Sequence, residues 1–209
     1  MINTPTDLAM SSTHQEFPGF RQEVARAVQW PNKLDRNEAG PETPDIDKFV
    51  PVTDIEALTS RVMEVLENSG REDLLARIYN TNSPAKKIFL ILALTDMLEV
   101  KEEFISGDFS DHHLPITTSE LDDTCVAKSR QGDKLFQRSN LARSQLGWFE
   151  AQQWRFLSPV FKNHFEFDLL PRIPLPLIEK DKRTRSGFSD VYKVKVHPAH
   201  ISRESRVSQ

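Results

Sequence analysis

Between residues 53 and 107 the apolar positions recur with the period of an α-helix. In "TDIEALTSRVMEVLENSG", Ile55, Leu58, Val62, Val65 and Leu66 fall on one stripe, which predicts an amphipathic helix ended by Gly70. Thr53 and Glu56 have the spacing of a capping box, in which each side chain takes a free N–H of the first turn. "EDLLARIYN" predicts a shorter helix. Ser83–Pro84 then reads as an N-cap with proline at the first helical position, where its missing N–H costs nothing. The segment it opens, "AKKIFLILALTDMLEV", is apolar nearly all round and is expected to be the central helix of a small bundle. "KEEFISG" closes the set at Gly107.

Outside this region the pattern changes. Residues 1–52 are polar and broken by Pro5, Pro18, Pro31, Pro41, Pro44 and Pro51, which predicts a largely disordered leader. Within it "FRQEVARAVQW" places Phe20, Val24, Ala27 and Val28 on one helical face, suited either to packing back on the body or to holding a partner. Residues 108–144 mix turn formers, charges and isolated apolar residues, and read as a polar loop. In "LGWFEAQQWRFLSPVFK", Trp148, Phe149, Trp154, Phe156, Leu157 and Phe161 predict an aromatic helix docked on the bundle. A base-stacking platform is disfavoured there because nothing basic or Gly-rich accompanies the rings. "PLPLIEK" and "VYKVKV" alternate as strands, with "DKRTRSGFSD" as the loop between them. The expected fold class is therefore mainly α: a helical domain at 53–165, a C-terminal β-hairpin at 166–200, and a disordered leader and tail at 1–52 and 201–209.

Composition narrows the function classes. A hydrophobic fraction of 38% and a mean hydropathy of −0.50 are low for a fully packed chain of 209 residues. The 13 prolines agree with extended linker in part of it. The net charge of −4 argues against a general nucleic-acid binder, which carries a basic footprint. The run Ile88–Leu94 falls well short of the ~20 apolar residues that span a bilayer. "MINTPTDLAMSSTHQ" has neither the basic nor the apolar part of a secretory signal. Cys125 is the one cysteine, so an intrachain disulfide and a cysteine-based zinc site are both excluded. The expected compartment is intracellular, cytoplasmic or nuclear. Any partners are expected to be proteins met through the helical domain, with no nucleic acid and no membrane, and the oligomeric state is left open.

Candidate chemistry is sparse. His112 and His113 lie near Asp108, Asp111, Asp122 and Asp123, but adjacent histidines in a loop point different ways and make poor joint ligands. A polar loop or a helix-start cap is the better reading. "HPAH" sets His197 and His200 three apart around a proline, and these read as turn residues. Cys125 has no histidine beside it to serve as a base. Neither GxSxG, HExxH nor a complete Walker loop occurs.

The remaining stretch, "RTRSGFSDVYKVKVHPAH", has a small turn-prone segment before a strand pattern. The run "GFSDVYKVKVHPAH" resembles the start of the kinase domain in a group of fungal protein kinases. "NSPAKKIFLILALTDM", "FISGDFSDHHLPI", "FEAQQWRFLSPVF" and "LPLIEKD" are similar to the helical leader and first strand of the same group. The similar pieces run in order from Tyr79 to His200. The resemblance implies that Gly187, Phe188 and Ser189 form the tip of an ATP loop and that Val191 covers the adenine. In the kinase G-x-G-x-x-G-x-V pattern anchored at Val191, the glycines would fall at Thr184, Ser186 and Ser189, and none is glycine. Phosphoryl transfer also needs a strand Lys, a catalytic Asp and the Asp and Asn that hold Mg²⁺. Between Val191 and Gln209 there is no V-A-I-K-like strand, H-R-D or D-F-G. The expected function is that of a truncated, non-catalytic kinase-like protein with no cofactor, ATP and Mg²⁺ being expected only with a full kinase domain. The alternative is the N-terminal fragment of an ATP-dependent Ser/Thr kinase whose catalytic lobe lies beyond residue 209.

Overall fold

The computed structural model describes residues 17, 19–28, 48–106, 109–121, 124–130, 135–138, 143–162, 169–186 and 189–202. Helices predominate over strands among them. In chain order they are α1 (Phe20–Arg26), α2 (Val52–Asn68), α3 (Glu72–Ile78), α4 (Lys86–Leu94), α5 (Lys101–Ser106) and α6 (Arg143–Gln152). The strands are β1 (Thr117–Leu121), β2 (Thr124–Lys128), β3 (Leu135–Arg138), β4 (Leu177–Ser186) and β5 (Ser189–Val196). The chain separates into two compact units, one of Met1–Arg26 with Ile55–Gln153 and one of Ala27–Asp54 with Trp154–Gln209. This division falls elsewhere than the expected boundaries at 52/53 and 165/166. It cuts the aromatic segment between Gln153 and Trp154.

In the first unit α4 is the centre. Ile88 to Leu94 are all buried, as their unbroken apolar run predicts. The stripe of α2 that turns inward is Ile55, Thr59, Val62 and Leu66, a helical i, i+4, i+7, i+11 series. Thr59 is tolerated in it because its hydroxyl donates to the carbonyls of Ile55 and Glu56, at 2.8 and 3.0 Å. Gly70 ends the helix at φ +67, and the Arg71 N–H returns to the Leu66 carbonyl at 2.9 Å. Helix α1 does pack back on the body: Phe20 and Val24 are buried, and Phe17 and Phe20 meet Phe89 at ring-centroid distances of 5.5 and 6.4 Å. Of the leader expected at 1–52, residues 17, 19–28 and 48–52 are described, and of the tail expected at 201–209, residues 201 and 202; the rest of both lies outside the described residues.

The expected polar loop at 108–144 is instead the site of a three-stranded antiparallel sheet in the order β1-β2-β3. The register runs from Thr117↔Lys128 to Leu121↔Thr124, then from Cys125↔Arg138 to Lys128↔Leu135. Short strands with interspersed charges hide this pattern, because one sheet face can carry polar residues without penalty. Glu150 and Gln153, one helical turn apart, attach α6 and the turn after it to the lead-in and first residues of β1. The Gln153 carboxamide accepts from the Ile116 N–H and donates to its carbonyl, both at 2.7 Å. The Glu150 carboxylate accepts from the Thr118 N–H at 3.0 Å and from its hydroxyl. Phe149, on the buried side of α6, stacks on Phe104 of α5 at 5.3 Å.

The second unit holds a two-stranded antiparallel sheet, β4 with β5. Its ladder runs from Leu177↔Val196 to Ser186↔Ser189, with register shifts between Leu177 and Glu179 and between Lys182 and Thr184. Lys180 lies over the Tyr192 ring, its ammonium 4.3 Å from the centroid. The "HPAH" segment makes a single 3₁₀ turn at Pro198–His200. Phe49 is fully buried with its ring 5.8 Å from His197 and 5.5 Å from His200. Phe161 forms a parallel bridge with Ile201.

Candidate functional site

The residues that the kinase resemblance marks fall at the closed end of the β4–β5 pair. Gly187 and Phe188 lie outside the described residues. Ser189 is the first residue of β5 and pairs with Ser186, while Val191 pairs with Thr184. The expected loop Asp181–Asp190 is mostly ladder: Asp181, Lys182, Thr184, Arg185 and Ser186 all have partners on β5. The backbone groups of Thr184 and Ser186, where two of the kinase glycines would stand, lie within a strand. Val191 is 55% exposed, and Tyr192 and Val194 are exposed beside it.

The histidines expected to cap or turn do so. The Ser110 N–H and hydroxyl each lie 3.0 Å from His113 Nδ1, closing a capping box on the 3₁₀ turn Asp111–His113. His112 Nε2 donates to the Asn82 carbonyl at 3.2 Å, a carbonyl being able only to accept. Asp111 is the helix-start cap. Its carboxylate accepts from the Lys87 N–H at 2.9 and 3.1 Å and from the Ile88 N–H at 3.1 Å, at the head of α4. The Asp111 N–H in turn donates to the Pro84 carbonyl at 2.7 Å. This replaces the expected Ser83–Pro84 cap: α4 begins at Lys86, and its first N–H groups go to a side chain that comes later in the chain. Burial pushes the Asp111 carboxyl above its ordinary range, partly opposed by those two N–H donors and by the charges of Lys87 and His112. Burial likewise lowers the Lys87 ammonium, opposed by the Asp111 charge. Their environment is that of a structural cap.

The expected Thr53–Glu56 capping box does not form either, because α2 starts one residue earlier at Val52. The Thr53 hydroxyl is turned to the Asp54 carboxylate instead, at 3.5 Å. The Val52 N–H donates to His200 Nε2 at 3.2 Å. His200 Nδ1 lies 2.8 Å from the Pro159 carbonyl. A carbonyl cannot donate and an N–H cannot accept, so these two bonds require a neutral imidazole protonated on Nδ1. His200 thereby joins three stretches of the second unit, near 52, 159 and 200. The "HPAH" spacing announced a turn but held no signal for this partner choice.

One small cavity of about 120 Å³ opens in the first unit between Arg77, Asn80, Ser83, Ile105 and Phe109. The Arg77 guanidinium donates to the Ile105 carbonyl at 3.4 Å, and Asn80 Oδ1 accepts from the N–H groups of Asn82 and Ser83. Arg77 and the Asn80 side-chain carbonyl oxygen are therefore engaged in holding the loop. Cys125 lies on β2 opposite Glu120 and Arg138. Among the described residues no three His, Cys, Asp or Glu side chains converge in a metal-ligating group. No helix among them is long and apolar enough to cross a membrane. Comparisons with protein-family models, with curated proteins and with solved structures returned no match.

Proposed function

We infer that these 209 residues form a non-catalytic protein-contact module of kinase-like ancestry, working through its helical unit. In this reading α2 to α6 make a small helical bundle round α4, and the β4–β5 pair corresponds to the first hairpin of a protein kinase. The exposure of Val191 supports the non-catalytic part most directly. A small-molecule site buries about 70–90% of its ligand, whereas the residue that would cover an adenine here is 55% open beside exposed Tyr192 and Val194. The strand ladder through Ser186↔Ser189 adds to this, since it holds Thr184 and Ser186, where two of the kinase glycines would stand, in an extended strand. Among the described residues a nucleotide would meet one wall and no enclosure. Titration calorimetry of the full chain with ATP and Mg²⁺ is expected to show no binding heat. Saturable binding that shifts the amide resonances of Ser189 and Val191 would overturn the reading and favour the fragment of an ATP-dependent Ser/Thr kinase.

A further inference from the structure

We propose that the outer edge of β5 is a docking site for an extended, acidic peptide segment of another protein, which joins β4–β5 as a third strand. This surface lies in the second unit and does not depend on the helical-contact reading. Both strands of this sheet are edge strands, since the pair has no third member among the described residues. Along such an edge, alternate N–H and C=O groups point away from the partner strand and form a template for another chain. Val191, Tyr192 and Val194 are 55%, 37% and 46% exposed, and Lys193 and Lys195 between and beyond them are exposed too. Side chains alternate along a strand, so Val191, Lys193 and Lys195 share one face of β5 while Tyr192 and Val194 share the other, and exposed apolar surface occurs on both.

Charge selects the occupant. Between Leu177 and Val196 there are six basic residues (Lys180, Lys182, Arg183, Arg185, Lys193, Lys195) and three acidic ones (Glu179, Asp181, Asp190). Six against three leaves +3 on this hairpin in a chain whose net charge is −4. A second copy would bring +3 against +3, which disfavours self-pairing. Nucleic acid would answer the charge, but it would leave Val191 and Val194 unpaired with any apolar partner. An extended peptide that alternates carboxylate and β-branched side chains answers these features, with its backbone on the edge, its apolar groups against Tyr192 and Val194 on one face, and its carboxylates on the other face near Lys193 and near Lys195, which also pairs with Glu179 at 3.1 Å. The sheet of the first unit shows the opposite treatment, for there Glu150 and Gln153 occupy the lead-in and start of β1.

The test uses the full nitrogen-15-labelled chain and a short, end-blocked peptide alternating Glu and Val. Binding is expected to shift and protect from exchange the amides of Val191–Val196, and to weaken as salt is raised. The same peptide N-methylated at alternate residues keeps its charge but cannot pair along the edge, and it is expected not to bind. A Lys-Val peptide is likewise expected not to bind. The Lys193→Glu/Lys195→Glu double variant is expected to bind about tenfold more weakly, as loss and reversal of surface charge pairs does. If that variant has altered circular dichroism, Lys193→Gln/Lys195→Gln replaces it, with a smaller loss expected. The proposal is overturned if the N-methylated peptide binds as well as the parent. It is equally overturned if protection falls outside β4–β5, if sedimentation shows the chain pairing with itself through β5, or if a single-stranded oligonucleotide binds while the Glu-Val peptide does not.

Discussion

Asp111 and His200 show how a single side chain can hold a helix start that its own sequence leaves open. Asp111 serves two N–H groups of α4, and its charge is not well accommodated, because burial raises its pKa. Asp111→Ala removes both acceptors and is expected to cost about 1–2 kcal/mol in urea denaturation, the usual range for a lost cap. Asp111→Asn keeps an acceptor oxygen without burying a charge and is expected to cost less than the alanine variant. The pH dependence has a definite sign. A carboxyl whose folded pKa exceeds its unfolded value binds more protons when folded, so its contribution to stability is full below its ordinary value of 3.8 and declines as pH rises through the folded pKa. Wild type minus Asp111→Asn is therefore expected to fall with rising pH in that window; an opposite slope would refute the burial argument. For His200, replacement by Ala leaves the Val52 N–H and the Pro159 carbonyl without this partner. A loss of about 1–3 kcal/mol is expected from each group that stays buried and unsatisfied.

At the scale of elements, the stop at Gly70 was legible, whereas the two N-caps read from the sequence did not form. Gly70 is a local solution: its φ of +67 suits a residue without Cβ, and a Cβ added there meets no atom within 4 Å. Gly70→Ala is expected to cost about 1 kcal/mol from backbone strain alone, a value denaturation can read directly. The same left-handed stop after α4 is made by Asp96 at φ +61, with Met97 N–H returning to the Leu92 carbonyl at 2.8 Å. Aspartate tolerates that conformation, but nothing in "LALTDMLEV" marks it as a terminator in the way glycine does. Neither N-cap read from the sequence formed: the N–H groups of Lys87 and Ile88 at the head of α4 took the Asp111 carboxylate 24 residues further along, and α2 started one residue early at Val52, whose N–H goes to His200. The sheet at 117–138 was missed for a related reason. Thr117, Thr118, Thr124 and Val126 carry a β signal, but each strand has only four or five residues, too few for alternation to outweigh the charges around them.

For the whole molecule, the short helix α1 matters more than its polar surroundings suggest. Phe17, Phe20 and Val24 are buried in the first unit, with Phe20 and Phe17 set against Phe89. Glu23 pairs with Arg61 of α2, and Arg21 with Asp96 at 3.4 Å, but these pairs have exposed members and add little. Phe20→Ala is expected to destabilise the chain by about 3–5 kcal/mol, the usual loss for a buried phenylalanine. Arg21→Ala, which touches only the exposed pair, is expected to stay within about 0.5 kcal/mol of wild type. Comparable losses for the two variants would mean that α1 is held by charge and not by its rings.

The sequence by itself determined the elements whose information is local. The 3.6-residue apolar period made α2 legible, the continuous apolar run marked α4 as central, and the strand pattern of "VYKVKV" marked β5. Tertiary structure decided where unsatisfied backbone groups found partners: Asp111 for α4, His200 for α2, and Glu150 with Gln153 for the start of β1. Those choices depend on which side chains reach a given N–H once the chain is folded, and sequence spacing does not encode that distance. The same distinction applies to "RSGFSDVYKVKV". Its alternation marks a strand, but only the folded strand pair shows that Val191, Tyr192 and Val194 are exposed along it.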